Sequence, residues 1–363
     1  MDFALDETEK AVKELATKIF TDRVTQAALR KAEADPDRVM RELWKDLADA
    51  GLLGVAIPEA HGGGGHGLLT LVQLLAAAGA SAALVPLLPT LALGALPIAR
   101  FGTPEQAAVL SRVAAGEVFL SAALVERAHP AHDAPHTRAR REGAAYVLGG
   151  QKVCVPGAHL ASGLVVSAAT PEGPRLFLVK VPSEGVALER QIVTTEEIEA
   201  TVTFTGARAE ALGGEGALPW LLDHARVCIA AVTLGVAERA LRMTAEYTAQ
   251  RKQFDRPIAT FQAVTQRVAD AYIDVEAIRL STLRAASKLQ AGQPATEEAA
   301  IAKLWAAEGG HRVAFAAQHL HGGMGFDRDY PLHRYYTRAR HLELMLGGAP
   351  QQLDAIGAAM LAG

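Results

Sequence analysis

Arg251, Phe254, Phe261 and Gln262 fall within one short stretch, Arg251-Lys-Gln-Phe254-Asp-Arg-Pro-Ile-Ala-Thr-Phe261-Gln262. A guanidinium, aromatic rings and a carboxamide grouped this closely suit an anionic ligand with a planar part: the cation meets the charge, and a ring covers the plane. Two other groups invite a chemical reading and lose it on inspection. His129, His132 and His136 share one loop. Their spacing matches no formed ligand pattern and no cysteine or glutamate joins them, so a solvated loop is expected in place of a zinc site. Gly62, Gly64 and Gly67 satisfy G-x-G-x-x-G after an apolar run, but a dinucleotide fold needs an acidic residue about twenty positions on. From Glu59 the next acid is Glu105, so these glycines are expected to form a flexible surface turn.

The first group lies between two amphipathic patterns, over 226–250 and 263–290. In the second, Val264, Val268, Ala271, Val275 and Ile278 recur at three- and four-residue spacing, which is one face of a helix. Pro257 stands where the chain turns and restarts. Two antiparallel helices therefore present Arg251, Phe254 and Gln262 at their junction. Helical pattern runs from Ala217 to the end: to 250, then about 257–292, 296–320, a segment to Leu346, and a terminal helix from Pro350. Ala230, Ala231, Gly235 and Ala237 allow a neighbour to pack closely. Upstream the character differs. Short apolar runs at 119–124, 145–148, 152–155, 164–167, 176–181 and 202–204 are separated by glycine, proline and polar residues, which marks strands. Residues 5–34 and 37–52 read as helices, the second started by Asp35-Pro36-Asp37. The expected fold class is thus mainly α with a middle β domain: helical 1–117, β 118–210, helical 211–363.

Half of the residues are hydrophobic and the net charge is −4, with the signs interspersed. Such a chain can bury a large core in two or three domains, and it has no basic tract for nucleic acid. Two cysteines, Cys154 and Cys228, without metal spacing suit a reduced, cytoplasmic setting, and the N-terminus has no secretory pattern. The stretch 68–99 contains no charged residue and is long enough to cross a bilayer. Gly79, Pro86, Pro89 and Pro97 punctuate it, so two shorter buried helices are expected and no membrane span.

Arg251-Lys-Gln-Phe254 with Pro257-Ile and Phe261-Gln262 resembles the flavin-binding turn of the acyl-CoA dehydrogenase family. His321-Gly-Gly-Met-Gly-Phe326 with Tyr330-Pro-Leu-His-Arg334 resembles that family's second signature, in the expected order and separation. The resemblance implies an N-terminal helical domain, a β-barrel-like middle domain and a C-terminal four-helix bundle, assembled as a tetramer with FAD held between subunits. It assigns FAD contacts to Arg251, Phe254, Phe261, Gln262, His319, Gly322, Gly323 and Gly325. His319 stands where the family has a glutamine three residues before the Gly-Gly pair, with Gln318 one place early. Leu124-Val-Glu126 and Lys152-Val-Cys-Val-Pro156 resemble the two segments that contact the flavin ring, with Val125 and Pro156 replacing threonines.

The reaction implied is α,β-desaturation of an acyl-CoA thioester. A base removes the proton beside the carbonyl, and a hydride passes to the flavin. The family places the base, a glutamate, either before the last helix or at the start of the first bundle helix. This chain has Leu346 or Gly347 in the first position and Ala225, before Arg226, in the second. Asp223 and Glu343 lie near these positions and are expected to be solvated or ion-paired, and His224 to be a capping or surface residue. The C-terminal wording resembles a divergent bacterial branch associated with steroid catabolism, whose members work as unlike subunits in an α2β2 assembly with the base on one partner. Three readings stay open at this point. One is a dehydrogenase, as a homo-oligomer or as the base-free subunit of a heteromer with a homologous chain. Another is a flavin monooxygenase or oxidase on the same fold. The third is a non-catalytic partner subunit. Nothing in the sequence marks the electron acceptor.

Overall fold

A computed structural model describes residues 4–143 and 145–362. It divides into two compact units, one of Met1–Gln26, Val72–Ala83 and Arg226–Gly363, the other of Ala27–Leu71 and Leu84–Ala225. The units are interleaved along the chain, so N-terminal helical segments contribute to both.

Of the N-terminal helices, Glu7–Arg23 and most of Leu68–Ser81 belong to the first unit and the rest to the second. The first of them, α1 (Glu7–Arg23), begins on a capping box. The Asp6 side chain accepts from the Glu9 N–H at 2.7 Å and the Glu9 carboxylate accepts from the Asp6 N–H at 3.1 Å. The helix expected over 5–34 stops at Val24-Thr25 and resumes as α2 (Gln26–Ala34), because consecutive β-branched residues resist helix geometry. The uncharged stretch gives α4 (Leu68–Ser81), after α3 (Arg41–Asp49), then a π-helical Leu88–Ala95 continuing into α5 (Leu96–Phe101). The prolines thus break it into two short helices, as expected. Two further short helices, α6 (Pro104–Ala107) and α7 (Val109–Ala114), lead into the β region.

The carboxyl-terminal helices are α8 (Ala217–Gln250), α9 (Gln262–Gln290), α10 (Thr296–His321), α11 (Leu332–Leu344) and α12 (Ala349–Ala362). On α9, Ala271, Val275 and Ile278 are buried, as the spacing predicts, with Val264 and Val268 half-buried. α10 buries alanines and glycines along most of its length, which lets its neighbours approach closely. α4 and α8 approach closely where both carry glycine. A Cβ built on Gly235 would lie 1.9 Å from the Ala76 carbonyl oxygen, and one on Gly79 would lie 2.1 Å from that of Val232. α11 closes the end of α4: the Tyr335 hydroxyl donates to Ala80 O at 2.9 Å and the buried Arg338 guanidinium donates to Ala83 O at 3.2 Å. These carbonyls lack helical partners of their own. α8 is long and apolar enough to cross a membrane, but 83% of its most apolar window is buried, the pattern of a core helix.

The second unit holds the β structure: β1 (Phe119–Ala123), β2 (Arg138–Glu142), β3 (Ala145–Pro156), β4 (Ala161–Thr170), β5 (Gly173–Lys180), β6 (Val186–Ile192) and β7 (Ile198–Leu212). The pairings β4–β2, β2–β3, β3–β7, β7–β5 and β5–β4 close a ring, with β1 beside β4 and β6 beside β7. The ring is barrel-like and encloses Leu148, Leu164, Val166, Phe177, Val179, Val202 and Phe204. The runs 145–148 and 152–155 are one strand, bulged between Lys152 and Val155. β2 and β6 have no counterpart among the expected strands. Gly62 to Gly67 forms a turn, with Gly62 and Gly67 at φ +77° and +85°. It follows a 3-10 segment, Glu59–His61, and no strand, so it is not a dinucleotide turn.

Candidate functional site

The junction between α8 and α9 is a small β-hairpin. β8 (Lys252–Gln253) pairs antiparallel with β9 (Arg256–Pro257), and Phe254 and Asp255 make the two-residue link at φ +53° and +63°. Positive φ at both central positions is the type I′ pattern that favours Asn-Gly. Holding two side-chain-bearing residues there costs about 1–2 kcal/mol each. The hairpin is closed by Ile258 N–H donating to Arg251 O at 2.8 Å, while Arg251 N–H donates to Tyr247 O at 2.8 Å. The result is a Phe254 ring 86% exposed and met edge-on by Phe261, with centroids 6.2 Å apart. The Arg256 guanidinium lies 4.2 Å from the Phe261 ring centroid. Gln262 opens α9, whose N-cap, Phe261, supplies no side-chain acceptor. An uncapped helix N-terminus with an exposed Arg251 and aromatic faces favours an anionic, partly planar ligand.

The second glycine motif follows α10. His321 is buried. Its Nδ1–H donates to Ala317 O at 2.8 Å, its Nε2 accepts from the Tyr330 hydroxyl at 3.1 Å, and its ring stacks on Tyr247 at 4.4 Å. Burial pushes its pKa down, which suits this neutral tautomer. Gly322, at φ +59°, and Gly323 would carry a Cβ into open space, so their backbone is free to approach a ligand. Gly325 is closed in: a Cβ there would lie 2.6 Å from Gln318 Nε2. Gln318 is 7% exposed and its Nε2 has no hydrogen-bond partner among the described residues. A buried donor left unpaired asks for an acceptor. The expected ligand residue, His319, is exposed and instead takes an Arg267 Nη1–H on its Nδ1 at 2.5 Å. Successive helical residues point about 100° apart, so the one-place shift sends Gln318, and not His319, to the glycine turn. The two motifs meet at one end of the helical layer, tied by the Tyr247–His321 stack and the Arg267–His319 contact.

In the β unit, the two segments expected to face the ring lie side by side. Val153 N–H donates to Val125 O at 2.9 Å. Lys152, fully buried, donates to the Glu126 carboxylate at 2.8 Å and to Ser167 Oγ at 2.9 Å. Glu126 also accepts the N–H groups of His136 at 2.7 Å and Thr137 at 2.8 Å. The Pro156 carbonyl is engaged by Ser121 Oγ at 2.6 Å. The histidine loop is therefore not free of carboxylates. Contrary to expectation, Glu126 lies with His129 and His136, because the loop folds back on its own start.

The turn between α11 and α12 is gripped from inside. Lys303, fully buried on α10, donates to Glu343 O and Gly347 O at 3.0 Å each. Gln352 Nε2 donates to Leu346 O and Gly347 O at 3.2 Å each. Leu346 sits at φ +53° with its side chain buried. Burial drives the Lys303 pKa down to about 7 despite the opposing pull of Glu343. A neutral amine has two N–H groups, the number of acceptors found. Between pH 7 and the unfolded lysine value near 10.4 the unfolded chain binds the extra proton, so stability rises with pH at about 1.4 kcal/mol per unit. Lys303→Met is expected to flatten that slope in urea titrations from pH 7 to 10; a slope unchanged by the substitution would mean that Lys303 stays charged.

Two family models match the chain: the acyl-CoA dehydrogenase N-terminal domain over residues 6–117 and the C-terminal domain over 213–361. Acyl-CoA dehydrogenase FadE27 of Mycobacterium tuberculosis is 39% identical, with 98% of each chain covered. The chain belongs to the acyl-CoA dehydrogenase family. Among solved structures, the steroid acyl-CoA dehydrogenase Tcur3481–Tcur3483 aligns at 44% identity and TM-score 0.97 over 98% of each chain. The ChsE4–ChsE5 complex of Mycobacterium tuberculosis aligns at 38% identity and TM-score 0.95 over the whole of both chains. With the family come the fold, the middle β domain between helical regions, and the reaction class, oxidation at CH–CH groups. Members of the family bind FAD.

Of the residues at the positions where the resemblance places a base, Leu346 or Gly347 and Ala225, Leu346 and Ala225 are buried and Gly347 is half-buried. Glu343 is ion-paired, as expected, with Arg340, and its carboxylate lies 3.1 Å from His311 Nδ1. His224 departs from expectation, since it is buried within α8 and not at the surface; Asp223 is buried there too, and it is not without a partner. His224 stacks on Trp220 at 3.6 Å and binds Trp220 O through Nδ1 at 2.8 Å. Burial lowers its pKa to about 4, so it is neutral at ordinary pH.

Proposed function

We propose that this chain is the carboxylate-free subunit of an FAD-dependent acyl-CoA dehydrogenase built with a homologous partner that supplies the base. The observation that carries this reading is the contrast within one chain. The turn with Arg251, Phe254, Phe261 and Gln262 and the open Gly322–Gly323 backbone fit a dinucleotide cofactor, while neither expected base position, Leu346 or Gly347 and Ala225, carries a carboxylate. FAD, when bound, accepts the hydride. This chain's residues bind and orient it: Arg251 meets its phosphate charge, Phe254 and Phe261 cover planar surface, and the unpaired Gln318 amide and the glycine turn approach the pyrophosphate. A partner carboxylate then takes the α-proton of the acyl thioester. The names of the Tcur3481–Tcur3483 and ChsE4–ChsE5 structures support a heteromer and, for the first, a steroid acyl group. The segments 1–117, 118–210 and 211–363 are the domains of this reading, and the reduced cysteines Cys154 and Cys228 suit a cytoplasmic setting.

The deciding experiment is the visible spectrum of the chain purified alone and co-purified with a homologous subunit, each under anaerobic acyl-CoA. Flavin that bleaches only in the co-purified form is the expected result. Bleaching by the chain alone would overturn the base-free assignment, and product formed only with oxygen would replace it with an oxygenase. Arg251→Ala is expected to lower FAD retention about tenfold, the loss of one charge-assisted contact. Unchanged flavin content after gel filtration would remove Arg251 from the site.

A further inference from the structure

The histidine loop carries a second set of groups that the dehydrogenase reaction does not use. The His129 and His136 rings stack with centroids 3.8 Å apart and 30° between their planes. One ligand atom from each, together with a Glu126 carboxylate oxygen, lies within 4.8 Å of the other two. The loop backbone is fixed where these side chains leave it. Glu126 pairs with His129 as an isolated antiparallel bridge, and its carboxylate holds the His136 and Thr137 N–H groups. His129 Nε2 donates to Ala134 O at 2.7 Å, which selects the tautomer with a lone pair on Nδ1. A carbonyl bonded to the far nitrogen is the usual outer partner of a ligating histidine.

Glu126 has capacity left. Lys152 and Thr137 bond to Oε1, and the His136 N–H bonds to Oε2. A carboxylate offers about four lone-pair sites, so one remains on Oε2. His136 Nδ1 stands 3.9 Å from that oxygen, on a side chain 75% exposed. A metal of the zinc class holds nitrogen and oxygen ligands at about 2.0–2.2 Å, which sets neighbouring ligand atoms about 3.4 Å apart in a tetrahedron. Because an imidazole lone pair lies in its ring plane, binding also requires the exposed His136 ring to turn out of its stack on His129 toward the ion, a motion its surface position leaves free. Lys152 approaches the other oxygen, so a cation on Oε2 would share a partly neutralised carboxylate.

We propose that Glu126, His129 and His136 form a binding site for one divalent metal ion of the zinc class, with its remaining coordination positions open to water. The ion ties the two ends of the 126–137 loop together, beside the Lys152 anchor. The site is argued from the geometry of the β unit, with Glu126 ending one of the two segments that the resemblance places against the flavin ring. The test is titration of the chelator-treated full chain with Zn2+ against a chromophoric competitor, with thermal melting in parallel. A single equivalent is expected to bind and to raise the melting temperature. His129→Gln and His136→Gln should each weaken it by at least about tenfold, since even outer partners of metal ligands cost that much. His61→Gln, in the 3-10 segment Glu59–His61, should leave it unchanged. Both tested histidines are away from the core, so the variants fold, and circular dichroism checks this. Absence of competition by the wild-type chain would overturn the site, and so would Zn2+ binding that both loop variants retain in full.

Discussion

Glu126→Gln is expected to destabilise the protein by about 3–5 kcal/mol, the range for breaking a buried ion pair by removing one partner. The substitution leaves the fully buried Lys152 ammonium without its counter-charge. Lys152→Met should cost a comparable amount, and the double variant should recover much of the loss, because it leaves no uncompensated charge. Urea midpoints of the four proteins measure this, and additive losses would show that the pair is not coupled. The acid limb gives a second readout. Burial alone would raise the Glu126 pKa, but the Lys152, Thr137 and His136 donors outweigh it and hold the value at about 2. A depressed carboxyl contributes stability that is full above about pH 4.5 and is lost as pH falls toward 2. Glu126→Gln should flatten that loss. Burial also pulls Lys152 below its ordinary range, against Glu126. The pair persists because the carboxylate remains charged across the working range.

Gly235→Ala is expected to cost about 3 kcal/mol or more, at the upper end of overpacking penalties. The added Cβ would fall 1.9 Å from the Ala76 carbonyl oxygen, which is backbone and has no rotamer to yield. α4 and α8 would have to part, loosening the small-residue seam between them. Gly309→Ala is the matched control on α10. Its Cβ would meet Ile278 side-chain carbons at 3.4 Å, an ordinary contact. That substitution should be neutral or stabilising by up to about 1 kcal/mol through helix propensity. Thermal melts of the two variants separate close approach from intrinsic propensity, and equal effects would refute the steric account.

Much of this was legible where a period or a small side chain speaks for itself. The Ala271–Val275–Ile278 face follows from the 3.6-residue repeat, and Gly235 from its place among small residues on an apolar helix. β2 was not legible, because Arg138-Ala-Arg-Arg-Glu142 pairs through its backbone and shows no apolar alternation. β6 escaped for the same reason, being exposed at nearly every position. The hairpin at 252–257 was hidden by its brevity and by a Phe-Asp link where Asn-Gly is the usual signal. Motif spacing points to His319 because it counts residues, whereas the helix decides direction and turns Gln318 toward Gly325. Glu126 was not linked to the histidines ten residues away, since nothing in the order of residues reports that the loop doubles back.

The Phe254–Asp255 link also bears on how this protein would respond to engineering. Glycine at either position would relieve a left-handed backbone that now bears a side chain, a gain of the order of 1 kcal/mol at each. A screen for heat resistance alone would therefore enrich Phe254→Gly and Asp255→Gly. The first of these discards the exposed ring that, in the function proposed above, covers planar cofactor surface. Selection on melting temperature and selection on cofactor content would pull residue 254 in opposite directions, and they would agree at residue 255.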